Sequence, residues 1–164
     1  MRKTKMAMTY AVIAALTIGA LMVAAPVFAA AHFVKGPDIK KNADFSLTAT
    51  FKAAGLGNVV TEVFLTSSGG TAELQCVNPG GNNPPPKKVD FDDLQGQTVE
   101  ITPKNGQITA KPTLGPPSLP GADEICPNKN WDVDIVSLTY ENVELHIQQD
   151  GNDILTFDFG DVDP

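Results

Sequence analysis

The chain has 164 residues, 42% of them hydrophobic and 19% charged, a size and balance that fit one domain. Without its first 29 residues it keeps nine Lys, no Arg and nineteen acids, a formal charge of −10. That charge argues against nucleic acid and anionic membrane surfaces as partners, and fits solubility, cation binding or basic partners.

Residues 1–29 read as a signal peptide. Arg2, Lys3 and Lys5 precede an apolar run over 10–28, and Val27-Phe28-Ala29 forms a cleavable end. The run is Ala-rich and holds Gly19 and Pro26, which disfavours an uncleaved anchor. The mature chain is then expected to have no membrane span and to be secreted: extracellular, or periplasmic or cell-surface where an outer envelope exists. Ala29-Ala30-Ala31 offers a second cleavage point, after Ala31. The domain organisation is 1–29 signal peptide, 30–43 N-terminal extension and 44–164 folded domain.

Residues 30–41 read as an irregular lead-in broken by Gly36-Pro37. Residues 44–52 alternate, with Phe45, Leu47, Ala49 and Phe51 on one face, and predict a half-buried strand. Residues 59–66 predict a central strand, 67–70 a turn, and 71–77 a strand with Ala72, Leu74 and Cys76 inward. Residues 78–88 are too rich in Pro, Gly and Asn for regular structure. A short edge strand is expected over 89–94 and a strand over 97–102 with Val99 and Ile101 inward. Asn105-Gly106 then signals a hairpin returning over 107–114, where Pro112 marks a strand end or sheet edge. A second Pro-rich crossing fills 115–121.

The densest strand-forming text is 131–160, with Asp150-Gly151 as a type I′ hairpin signal. Its apolar residues change phase twice, from Ile135 to Val136 and from Tyr140 to Val143, which predicts bulges near 135–136 and 141–142 and a corner where the strand passes between sheets. Leu155, Phe157 and Phe159 are expected to close the core. The whole is an all-β chain, an antiparallel β-sandwich immunoglobulin-like in shape. Cys76 and Cys126, an even pair in an oxidising compartment, predict one disulfide that tethers the two Pro-rich crossings to the sheets.

The pieces AHFVKG (31–36), KAAGLGN (52–58), LQCVNPGGNNP (74–84), PKNGQ (103–107), ICP (125–127) and VSLTYENV (136–143) resemble a loose group of small secreted bacterial β-rich proteins of unknown function. The resemblance implies a single domain with paired cysteines, and carries no activity with it.

Candidate chemistry is sparse. His32 and His146 are the two histidines, and no Gly-x-Ser-x-Gly elbow accompanies them. Cleavage after Ala31 makes His32 the N-terminus, where its amino group and imidazole chelate Cu(II), with His146 as a further nitrogen donor. Asp150, Asn152 and Asp153 form an oxygen-rich turn suited to Ca²⁺, although turn chemistry favours the same residues. Trp131 is the aromatic residue best placed for ligand contact, set against the role of a core plug. The expected protein is non-enzymatic, without an obligatory cofactor, and binds an extracellular protein or glycan; metal binding through His32 or the Asp-rich turns is the alternative.

Overall fold

The computed structural model describes residues 30–163; the expected signal peptide, 1–29, lies outside them. In chain order the strands are β1 (His32–Lys41), β2 (Leu47–Ala54), β3 (Thr61–Ser67), β4 (Gly69–Val77), β5 (Lys87–Phe91), β6 (Leu94–Gln95), β7 (Val99–Ile101), β8 (Gln107–Ala110) and β9 (Thr113–Leu114). A single-turn helix α1 (Ala122–Ile125) follows, then the long strands β10 (Asp132–Gln149) and β11 (Asn152–Val162). They form two antiparallel sheets. The smaller runs β1-β2-β8, with β9 also on β2. The larger runs β5-β4-β10-β3-β6, with β7 on β3 and β11 on β10. The chain is therefore the expected all-β sandwich.

Alternation builds the core. Leu47, Ala49, Phe51 and Ala53 of β2 are buried while Thr48, Thr50, Lys52 and Ala54 face out. Across the gap lie Val63, Leu65, Ala72, Leu74, Leu138, Val143, Leu145 and Ile147. Each large aliphatic side chain so buried contributes about 1.5–3 kcal/mol.

β10 is the spine of the larger sheet. Opposite it, β3 and β4 keep one register, from Glu62 facing Gln148, through Thr66 facing Glu144 and Gly69 facing Glu141, to Glu73 facing Ser137. The two are in effect one long strand kinked at Ser68, so the turn expected over 67–70 is instead a kink. The Ser67 hydroxyl lies within donating distance of the Gly69 carbonyl (2.7 Å) and the Glu141 carbonyl (2.9 Å), its one proton serving either, and the Glu141 carbonyl also accepts from the Ser68 amide at 3.0 Å. The facing bulge is the one expected at 141–142, where Asn142 takes φ 46° and its amide donates to Ser68 Oγ at 2.9 Å. The other expected bulge is also found, at Val136. The expected corner between sheets is not: β10 stays in one sheet, and kink and bulge bend it together.

Three further expectations are corrected. Residues 32–41 are strand, not irregular lead-in: Gly36-Pro37 is absorbed as a bulge between Lys35 and Asp38, and pairing with β2 resumes beyond it. Asn105-Gly106 does form the tight turn, with φ 53° and 69°, and Lys104 bridges Gln107. However, β7 before it pairs with β3 of the larger sheet and β8 after it with β2 of the smaller, so the turn carries the chain between sheets. Val99 and Phe157, expected inward, are each 37% exposed because their strands lie at sheet margins. Phe157 still packs edge-on against Phe33 (5.9 Å) and Phe159 (5.0 Å), and Phe33 against Phe51 (5.8 Å), bridging β11 to β1.

Tyr140 locks the two sheets together. It is fully buried, and its hydroxyl donates to the Phe45 carbonyl at 2.9 Å across the core. Burial, reinforced by the Asp44 charge, pushes its pKa from 10.0 up to about 12. Below pH 10 the phenol is neutral in both the folded and unfolded states. Between pH 10 and about 12 the unfolded chain releases a proton that the folded chain keeps, so stability is lost across that window. The loss is roughly 2–3 kcal/mol, at about 1.4 kcal/mol per pH unit. Tyr140→Phe should start about 1 kcal/mol less stable, since the Phe45 carbonyl loses its donor, and should lack this part of the alkaline decline. Urea midpoints from pH 9 to 12 test this; parallel curves for the two proteins would remove Tyr140 from the explanation.

Candidate functional site

The outer face of the larger sheet carries a bonded network that the sequence did not reveal. Alternation along β10 turns Val143, Leu145 and Ile147 inward and leaves Glu144, His146 and Gln148 outward. His146 lies opposite Phe64 of β3 and stacks on it, ring centroids 5.0 Å apart. Its Nε2 is 3.0 Å from Thr66 Oγ1, and its Nδ1 is 3.2 Å from Asp153 Oδ1 on β11. Glu144 Oε2 lies 3.6 Å from Nε2.

Hydroxyl, imidazole and carboxylate in a row are the elements of a nucleophile, base and orienting group. The surroundings do not complete them. Thr66 lies mid-strand, paired with Glu144 on one side and Gln95 on the other, so its neighbourhood is sheet ladder rather than free amides turned toward a developing oxyanion. The network instead ties β3, β10 and β11 together.

The residues singled out for metals are not assembled. His32 is on β1, opposite Ala54 and on the outer face of the smaller sheet, with its Nδ1 2.8 Å from the Ala30 carbonyl oxygen. His146 is on the outer face of the larger sheet, so the core separates the two imidazoles and they cannot share one ion. Asp150 takes φ 51° in the type I′ turn, and the Asn152 amide donates to its carbonyl at 3.0 Å, while Asp153 is engaged with His146. The turn's own geometry thus engages Asp150 and Asn152, and the contact with His146 engages Asp153. Among the described residues no group of three or more His, Cys, Asp or Glu is arranged to hold a metal ion.

The disulfide does form, joining Cys76 at the end of β4 to Cys126 just after α1. Trp131 is half-buried in the loop before β10 and lies outside the core cluster, so it is not the core plug that competed with the ligand-contact reading.

The opposite outer face has a different character. Six of the nine lysines, Lys35, Lys40, Lys41, Lys52, Lys104 and Lys111, fall within 32–54 and 104–114, the stretches that build the smaller sheet; Lys41 is not on its outer face, for it lies opposite buried Leu47 and donates to the Leu138 carbonyl of the larger sheet at 3.0 Å. Those stretches contain only two acids, Asp38 and Asp44. The remaining seventeen acids belong to the larger sheet and its connections. The charge of −10 therefore conceals a two-sided molecule.

On the smaller sheet the outward row includes Thr48, Thr50, Thr109 and Thr113, so hydroxyls lie between the lysines. Two clefts open there. One of about 160 Å³ is lined by Lys35, Asp38, Thr50, Lys52 and Thr109, with Phe51 at its floor. The other, of about 400 Å³, is lined by Lys52, Thr102, Lys104, Gln107 and Thr109 together with Ile101 and Ile108. They adjoin, sharing Lys52 and Thr109.

No family model, curated protein or solved structure matches the chain.

Proposed function

We propose that the protein is a non-enzymatic, secreted binding module that meets its partner with the outer face of the smaller sheet. The observation that carries this reading is the uneven distribution of charge: Lys35, Lys40 and Lys52 lie among threonines and beside the acid Asp38 on the outer face of the smaller sheet, while seventeen of the nineteen acids belong to the larger sheet and its connections. Two sheets pack about 10 Å apart, so the outer faces are separated by more than the Debye length of about 8 Å at physiological salt. An approaching partner therefore meets the lysines with the acids of the far face largely screened. The disulfide supports an oxidising compartment, in keeping with the expected signal peptide.

The test is association of the labelled, purified secreted protein with envelope preparations of the producing cells. Binding is expected to fall steeply as salt is raised toward about 0.5 M. It should be lost in Lys40→Glu/Lys111→Glu and kept in His146→Ala. Equal binding by the charge-reversed and unaltered proteins would dispose of the reading.

A further inference from the structure

Lys35 and Lys52 are direct cross-strand partners in the β1–β2 ladder. Like charges set directly opposite one another destabilise a sheet. Nothing nearby relieves this pair: among the described residues neither lysine, nor Lys104, lies within ion-pair distance of a carboxylate, although Asp38 borders the same cleft. The arrangement is built rather than accidental. Lys35 is set against Lys52 between two register shifts, one at Val34 and one at Gly36-Pro37, and at Gly36 φ is 70° and a Cβ would come within 2.6 Å of the Thr50 carbonyl oxygen. Lys52 in turn faces Thr109 on β8, so Lys35, Lys52 and Thr109 form one row across three strands. At about 4.8 Å per strand the row spans about 10 Å, and Lys104 extends it at the far cleft.

Local repulsion retained in an otherwise consistent sheet marks a functional position. Resting on the binding-module reading, we propose that this row is a site for a linear anionic polysaccharide. Its acid groups sit between the ammonium groups of Lys35, Lys52 and Lys104, and its hydroxyls bond to Thr50, Thr102, Thr109 and Gln107. Charge complementarity selects an anion. The hydroxyls of Thr50, Thr102 and Thr109 and the run of two adjoining clefts favour a single extended chain over the acidic face of a second copy. Nucleic acid is disfavoured: Phe51, which borders one cleft, is 2% exposed and turned to the core, so no ring is offered for base stacking, and the described residues contain no arginine.

The experiment uses immobilised polygalacturonate, with neutral dextran and double-stranded DNA as comparisons. The secreted protein should be retained on polygalacturonate alone and released by salt. Lys35→Gln/Lys52→Gln/Lys104→Gln should bind about tenfold more weakly or worse. A second readout is independent of the column. Soluble polygalacturonate should raise the melting temperature of the unaltered protein, because it neutralises the Lys35–Lys52 repulsion. Lys52→Gln should melt higher than the unaltered protein without polymer and gain little when polymer is added. No retention, retention equal in the triple variant, preference for DNA, or salt-sensitive self-association in place of polymer binding would each overturn the proposal. If envelope binding still depends on Lys40 and Lys111 while polygalacturonate is not bound, this site assignment falls and the binding-module reading stands. If neither interaction is seen, both fall.

Discussion

Gly70→Val should not yield a folded protein, and Gly70→Ala should lose about 3 kcal/mol or more, at or beyond the upper end of what overpacking a core usually costs. Gly70 is buried on β4, hemmed by Phe91 of β5 and Tyr140 of β10, its partners on either side. Those two rings meet edge to face with centroids 5.7 Å apart. A Cβ at this glycine would lie 2.0 Å from the Thr139 carbonyl oxygen and 2.5 Å from Phe91 Cζ. The ring could swing away; the carbonyl could not, because β4 is hydrogen-bonded along both edges. The backbone would have to part from β10 next to Tyr140, the residue that ties the sheets together. Gly115 is the control: it is exposed, and a Cβ there meets nothing within 4 Å. Gly115→Ala should stay within about 0.5 kcal/mol of the unaltered protein. Thermal unfolding of the two alanine variants side by side decides the matter. If Gly70→Ala melts with Gly115→Ala, the glycine is not what allows Phe91 and Tyr140 to close over it.

The glycine shows how far the sequence could be read. Strand alternation, the Asp150-Gly151 hairpin and both bulges of β10 were legible, because each is a local signal: a phase change at Ile135-Val136 or Tyr140–Val143 can only be accommodated by an extra residue. β1 was not, because Gly36-Pro37 interrupts an alternation that Phe33 and Ile39 otherwise carry, and a bulge cannot be told from a break without the partner strand. The Asn105-Gly106 turn was legible as a turn but not as a crossing, since the turn is local and the choice of sheet is not. The candidate sites were the least legible. Thr66 and His146 are 80 residues apart. The lysines of the smaller sheet come from two stretches separated by the whole of β3 to β7, so only the topology gathers them on one face. Net charge, a sum over the chain, carries no trace of that segregation, and the scarcity of basic residues pointed away from an anionic ligand.

Reduction of the Cys76–Cys126 bond, or its removal in Cys76→Ala/Cys126→Ala, should lower the urea midpoint by roughly 2 M. The two cysteines are 50 residues apart. Freeing a loop of that length in the unfolded chain costs about 4 kcal/mol of stability on the chain-entropy account. The structure argues that most of this reaches the global transition. Cys76 is 2% exposed and sits opposite Val133 on β10, so one end of the crosslink is in the sheet itself. The other end holds the crossing 115–131, from which Pro117 is buried and Leu119 and Ile125 pack on the core. That crossing has few backbone bonds of its own beyond the turn of α1 and the Trp131–Asn128 contact of 3.1 Å. Lys87 Nζ also donates to the Ile125 carbonyl, the one side-chain bond from β5 to this segment among the described residues. Once the bond is cut, the crossing is held mainly by its three apolar anchors, and its loss uncovers the end of the core. Limited proteolysis separates this outcome from a purely local one. A lowered midpoint with cleavage spread over the chain means that the crosslink stabilises the sandwich as a whole. A midpoint within about 0.5 M of the oxidised protein's, with early cuts confined to 115–131, would mean that the bond only pins a loop and that the sheets need nothing from it.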